Sequence, residues 1–213
     1  MRRTPERFFI RRGLIAGALA LAAATPAWAA RRAVVTLLGD SITAGLGLPA
    51  ADALPGQLQS ALASLGAPAL VRGAGVSGDT SAAGLARLDF SVQADTDLCV
   101  VALGGNDLLQ GLDPKETRAN LTAIVRRLKA RRIRVLLAGI SAPPQVGLGY
   151  ARDFDAVFAA VARAEHAALY PDLIAGVGPA LRQGDGIHPN AAGVKLIAAR
   201  LAPVVARALK GRR

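Results

Sequence analysis

Sulfur, imidazole and aromatic rings are all scarce among the 213 residues. Cys99 is the single cysteine. A disulfide within the chain is therefore excluded, as is a zinc or iron–sulfur site built on cysteine pairs. Cys99 lies in the apolar run "LCVVAL", where a thiol packs as a small inert hydrophobe. His166 and His188 are the only histidines. They leave little room for a histidine-rich metal centre, and no metal or organic cofactor is expected. Aromatic residues make up 4% of the chain, and none interrupts the arginine cluster "VRRLKARRIR", residues 125–134. Recognition of single-stranded nucleic acid combines cations with stacking rings, so nucleic acid is not an expected partner. The chain nevertheless carries a net charge of +11. The cluster and the tail "KGRR" read as a solvated helix face and a chain end, with weak contact to anionic lipid as their other use.

A long hydrophobic run is also missing. The apolar stretch "GLIAGALALAAA" is too short and too rich in alanine for a spanning helix, which needs roughly 20 strongly apolar residues. It follows the basic segment "MRRTPERFFIRR" and precedes Pro26 and the small-residue sequence "AWA". That order reads as a secretory signal, residues 1–29, cleaved between Ala29 and Ala30. The expected location is periplasmic or secreted. The Arg11-Arg12 pair leaves both the general secretory and the twin-arginine routes open. The remainder, residues 30–213, carries a net +7 once the signal's five arginines and Glu6 are removed. It is long enough for one domain with a full core. It is expected to be monomeric and not stably inserted in a membrane.

What is present is alternation. Apolar runs of strand length occur at 33–38 ("AVVTLL"), 69–73, 98–103, 134–140 and 173–177. They are continuous, as in strands covered on both faces. Between them apolar residues recur at helical spacing: Leu58, Leu62, Leu65; then Leu121, Ile124, Val125, Leu128; then Phe154, Val157, Phe158, Val161; then Val194, Ile197, Leu201, Val205. Alternating strands and helices predict a doubly wound, mainly parallel α/β sandwich around five strands. Ligands in such folds bind beyond the carboxyl ends of the strands.

Four polar clusters fall at such positions. They are "GDS" (39–41), "GVSGDT" (75–80), "GGND" (104–107) and "DGIHP" (185–189). A serine needs a base, and a histidine suits that task near neutral pH. The imidazole in turn needs a group that fixes its tautomer. Asp185 lies three residues before His188, so one short turn could join them, leaving the other ring nitrogen for Ser41. Candidate donors to a developing oxyanion are the N–H of Ser41, the N–H of Gly78 and the amide of Asn106. Ser77 is a second candidate nucleophile. Asn106 could instead cap a helix, and Asp40, Asp79 and Asp107 could hold their loops. His166 reads as an ordinary helix residue. A phosphate-binding loop is the competing reading of "GLGLPA" (45–50). It lacks a glycine turn directly after the strand, and Arg72 stands where an acidic residue should end the second strand.

The ordered set "GDSITAG", "GVSGDT", "LGGND" and "DGIHPN" resembles the GDSL, or SGNH, hydrolases. "SGDTSAAGLARL" and "LGGNDLLQGL" resemble their periplasmic thioesterase, arylesterase and lysophospholipase branch. The family's four named residues correspond to Ser41, Gly78, Asn106 and His188. The resemblance implies a flavodoxin-like three-layer α/β/α sandwich and a Ser41–His188–Asp185 triad. It implies an exported esterase that hydrolyses small-molecule esters or thioesters through an acyl-enzyme. The acyl pocket is expected at Leu108, Leu109, Leu112, Leu148 and Tyr150. The alternative function is an exported binding module for anionic lipid or nucleotide without catalysis.

Overall fold

The computed structural model describes Met1 and residues 31–210. The expected signal thus falls outside the described fold. The chain divides into the units Met1–Arg31 and Arg32–Arg213, and the second carries every element that follows. Five strands form one parallel sheet in the order β2-β1-β3-β4-β5. They are β1 (Ala33–Gly39), β2 (Ala69–Gly75), β3 (Leu98–Ala102), β4 (Arg134–Ala138) and β5 (Ala168–Tyr170). Among the described residues eight α-helices connect and cover them: α1 (Ser41–Ala44), α2 (Leu54–Ser64), α3 (Ser81–Ala86), α4 (Leu88–Ser91), α5 (Gly105–Leu109), α6 (Pro114–Ala130), α7 (Leu148–Ala164) and α8 (Ala191–Lys210). Among the described residues no helix is long and apolar enough to cross a membrane.

The continuous apolar runs are explained by the two-residue period of a strand. Leu38, Cys99, Val101, Val135 and Leu137 point into one core, with α6 and α7. Val35, Leu37, Leu98, Val100, Leu136 and Ala138 point into the other, with α2 and α8. Every residue of β3 is buried. Helix α6 buries Leu121, Ile124, Val125 and Leu128, one stripe of a 3.6-residue helix. It begins on Asp113, whose carboxylate accepts the Lys115 N–H at 2.8 Å, with Pro114 in the first turn.

The fifth strand is not the apolar run at 173–177. It is the shorter Ala168–Tyr170, which pairs with Leu136–Ala138 of β4. Leu173 and Val177 are apolar because they are buried in the α8-side core, in a turn where Gly176 has φ +79°. His166 likewise lies past the end of α7, at φ +47°, in the turn into β5.

Several cations of the arginine cluster are paired within the chain. Arg126 pairs with Glu165, and Arg127 and Arg131 with Asp89. Lys129 donates to the carbonyl of Glu165 at 2.6 Å. These contacts match the reading of a solvated helix face.

Candidate active site

The sheet order changes direction between β1 and β3, and both strands end at the same edge. A crevice at that switch point is the expected ligand position; the first, third and fourth polar clusters line it, and the second adjoins it through the Asp79 carbonyl, which accepts the Asn106 amide.

The turn after β1 is made by packing. A side chain on Gly75 would come within 2.7 Å of the Asp40 carbonyl oxygen and 2.8 Å of the Thr43 carbonyl carbon. Helix α1 can therefore lie directly on the end of β2. Asp40 caps this helix, its Oδ1 accepting the Ile42 N–H at 3.1 Å. Ser41 becomes the first helical residue.

The last cluster folds around Asp185. Its Oδ1 accepts the N–H groups of Ile187 and His188 at 2.9 and 3.0 Å, and Gly186 adopts φ +70° between them. Oδ2 then meets His188 Nδ1 at 2.6 Å. The opposite ring nitrogen, Nε2, lies 2.8 Å from Ser41 Oγ. Gln183 pins the loop by donating its amide to the carbonyls of Leu46 and Pro189 at 2.8 and 3.0 Å. Asn190 accepts the Gly193 N–H at 3.0 Å, at the start of α8.

The two carboxyl groups beside the imidazole differ. Hydrogen bonding from His188, supported by the two backbone N–H groups, lowers Asp185 to about 2. Asp185 is therefore a carboxylate near neutral pH. His188 Nδ1 then carries the proton, and Nε2 is free to accept the Ser41 hydroxyl. Burial raises Asp40 to about 6, against the opposing pull of the Ile42 N–H and the charge of His188.

The second and third clusters supply donors. Gly78 has φ +87°, a conformation that favours glycine. Among the described residues the N–H groups of Ser41 and Gly78 have no acceptor. Asn106 is the second residue of α5, and Gly104, not Asn106, caps that helix. The Asn106 amide instead donates to the Asp79 carbonyl at 2.9 Å, which leaves its second N–H. Asp79 pairs with Arg87 at 2.5 Å. Asp107 is buried and accepts from the Ser81 N–H at 2.7 Å, the Ser81 hydroxyl at 2.5 Å and the Thr117 hydroxyl at 3.1 Å. Ser77 is exposed, and no histidine contacts it among the described residues.

A cleft of about 380 Å³ opens beside Ser41, Asn106 and His188. Its walls are Leu108, Leu109, Ile140, Ala142, Ile174 and Ile187, with Arg182 at one side. Leu112, Leu148 and Tyr150 are not among the lining residues. The Tyr150 hydroxyl donates to the Leu112 carbonyl at 2.8 Å, and its ring stacks on Phe154. Leu148 is exposed at the start of α7. Ile187, between Asp185 and His188, was open to recognition as an apolar residue in a polar block. Ile140 and Ile174 join the cleft only through the fold. A larger hollow of about 550 Å³ lies at the opposite ends of β3 and β4, lined by His166 and cations. It contains no hydroxyl or thiol nucleophile.

The chain matches the GDSL-like lipase/acylhydrolase family over residues 37–196. It is 42% identical over 179 residues to the esterase TesA of Pseudomonas aeruginosa, covering 83% of this chain and 88% of that one. It is 36% identical to the Escherichia coli protein named thioesterase 1/protease 1/lysophospholipase L1, covering 76% and 78%. The solved structure of AlinE4, described as an SGNH-hydrolase family esterase, superposes with a TM-score of 0.70 at 42% identity, covering 83% of this chain and 96% of that one.

Proposed function

The chain belongs to the GDSL-like lipase/acylhydrolase family, and we propose that it hydrolyses esters and thioesters through an acyl-enzyme formed on Ser41. It is a serine hydrolase that acts on small-molecule ester bonds. The observation that carries the residue assignment is the relay from Ser41 Oγ through His188 to Asp185, at 2.8 and 2.6 Å.

In this reading Ser41 Oγ attacks the acyl carbon while its proton passes to His188 Nε2. The imidazolium is stabilised by the Asp185 carboxylate. The developing oxyanion is met by the N–H of Ser41, the N–H of Gly78 and the Asn106 amide. His188 then protonates the departing alcohol or thiol. Water, deprotonated by the same nitrogen, attacks the acyl-enzyme; the acyl–Oγ bond then breaks, His188 passes the proton to Ser41 Oγ and the carboxylic acid leaves. The apolar cleft walls support a hydrocarbon or aryl acyl group as the part of the substrate they bind. No step calls on a metal or organic cofactor.

The test pairs active-site labelling with kinetics. A fluorophosphonate probe is expected to label one serine. Ser41→Ala should abolish labelling and lower turnover by roughly a million-fold, the loss typical when a serine triad loses its nucleophile. Loss of labelling in Ser77→Ala but not in Ser41→Ala would overturn the assignment. A chain-length series of nitrophenyl esters, run beside thioesters, then measures the acyl group that fits.

A further inference from the structure

We infer that Arg87 is a positioning residue that sets the oxyanion hole, because its guanidinium ties together the segments that carry all three candidate donors. The inference rests on the proposed roles of Ser41, Gly78 and Asn106.

Arg87 lies at the junction of α3 and α4 and touches none of the three catalytic side chains. Its guanidinium forks in three directions. Nε donates to Asp79 Oδ2 at 2.5 Å. Nη2 donates to the Gly39 carbonyl at 2.9 Å. Nη1 donates to Ser91 Oγ at 2.8 Å, which anchors the guanidinium to α4. Each of the first two bonds ends next to the reaction centre. Gly39 is two residues before Ser41, and its carbonyl also accepts the Val76 N–H at 3.1 Å. Asp79 directly follows Gly78, and its carbonyl holds the Asn106 amide at 2.9 Å. One side chain therefore spans the nucleophile turn, the Gly78 loop and, through Asp79, the start of α5.

The Arg87 and Asp79 side chains are 20% and 11% exposed. A charge pair this far out of water is held closely, and losing one partner strands the other. Oxyanion donors act only when they are already aimed at the developing charge, and small displacements of positioned groups are costly in rate. A planar fork with fixed donor directions meets this need where a flexible ammonium would not.

The inference is tested with Arg87→Gln and Arg87→Lys, each made alone and with Asn106→Ala, using the same nitrophenyl ester throughout. Both Arg87 variants are expected to lower kcat at least tenfold with KM within about twofold. Lysine should rescue little, because it retains the charge but not the fork. In the Asn106→Ala background the same change should cost several-fold less in kcat than in the native background, since one of the donors it aims has already gone. Rate losses that simply multiply, or a fall in melting temperature with kcat unchanged, would overturn the inference. If the Arg87 variants do not fold, Asp79→Asn keeps an oxygen for Arg87 while removing the ion pair, and it is read by the same cycle and the same two outcomes. Ser41→Ala is measured in parallel. If that variant keeps its activity, the underlying mechanism is wrong, which is separate from a failed cycle.

Discussion

Two carboxyl groups stand near His188, and they respond to pH in opposite senses. Asp185 is held low by hydrogen bonds to its charged form. Its contribution to stability is complete above the ordinary carboxylate range and is lost only as the pH falls through about 2. Activity lost in mild acid is therefore not the protonation of Asp185. Asp40 is held high by burial, at about 6. Its contribution is complete below 3.8 and is lost as the pH rises through about 6. That rise corresponds to roughly 3 kcal/mol. Asp40→Asn keeps an oxygen for the Ile42 N–H and removes the buried charge. It should raise unfolding free energy by an amount on the order of 3 kcal/mol at pH 8 and change it little at pH 4. Urea unfolding at the two pH values measures this, and equal destabilisation at both would contradict the burial argument. At this scale the sequence was informative where chemistry is local. Asp185 and His188 are three residues apart, and one turn unites them. Arg87 and Gln183 had no such signal, because their backbone partners Gly39 and Leu46 are 48 and 137 residues away.

Among the elements, the strands buried on both faces were the readable ones. β1, β3 and β4 were legible because most residues of their apolar runs meet one core or the other. β5 was misplaced because it has three residues on the sheet edge, none of them fully buried. The neighbouring turn buries Leu173 and Val177 and so imitates a strand. Helix α1 has four residues, too few to show a period, and is held by its Asp40 cap and by contact with Gly75. That contact makes a prediction for Gly75→Ala. The new methyl group would press on the backbone of Asp40 and Thr43, which cannot move aside as a side-chain tip can. The turn that presents Ser41 should shift, lowering turnover at least tenfold and destabilising the protein by about 1–3 kcal/mol, as overpacking does. Kinetics and thermal unfolding of the one variant read both effects. Native activity would mean that α1 is free to slide.

For the whole chain, residues 30–213 are expected to be the mature protein. Mass spectrometry of the protein from its natural host should find Ala30 at the N-terminus, whereas a Met1 terminus in the membrane fraction would mean that residues 1–29 serve as an anchor. The sequence could suggest this segment because its basic, apolar and small-residue parts are each local. No local spacing indicates that the two ends of the fold meet; that expectation came from the four ordered motifs and the family they resemble. Ser41 and His188 are 147 residues apart, and that separation is also an interval of time. Ribosomes add roughly 5–20 residues per second, so the serine emerges about 7–30 s before its base. Until then a growing chain holds a hydroxyl that nothing deprotonates. A chain cut short anywhere before residue 188 should likewise be inactive on esters, because it lacks the base proposed for Ser41.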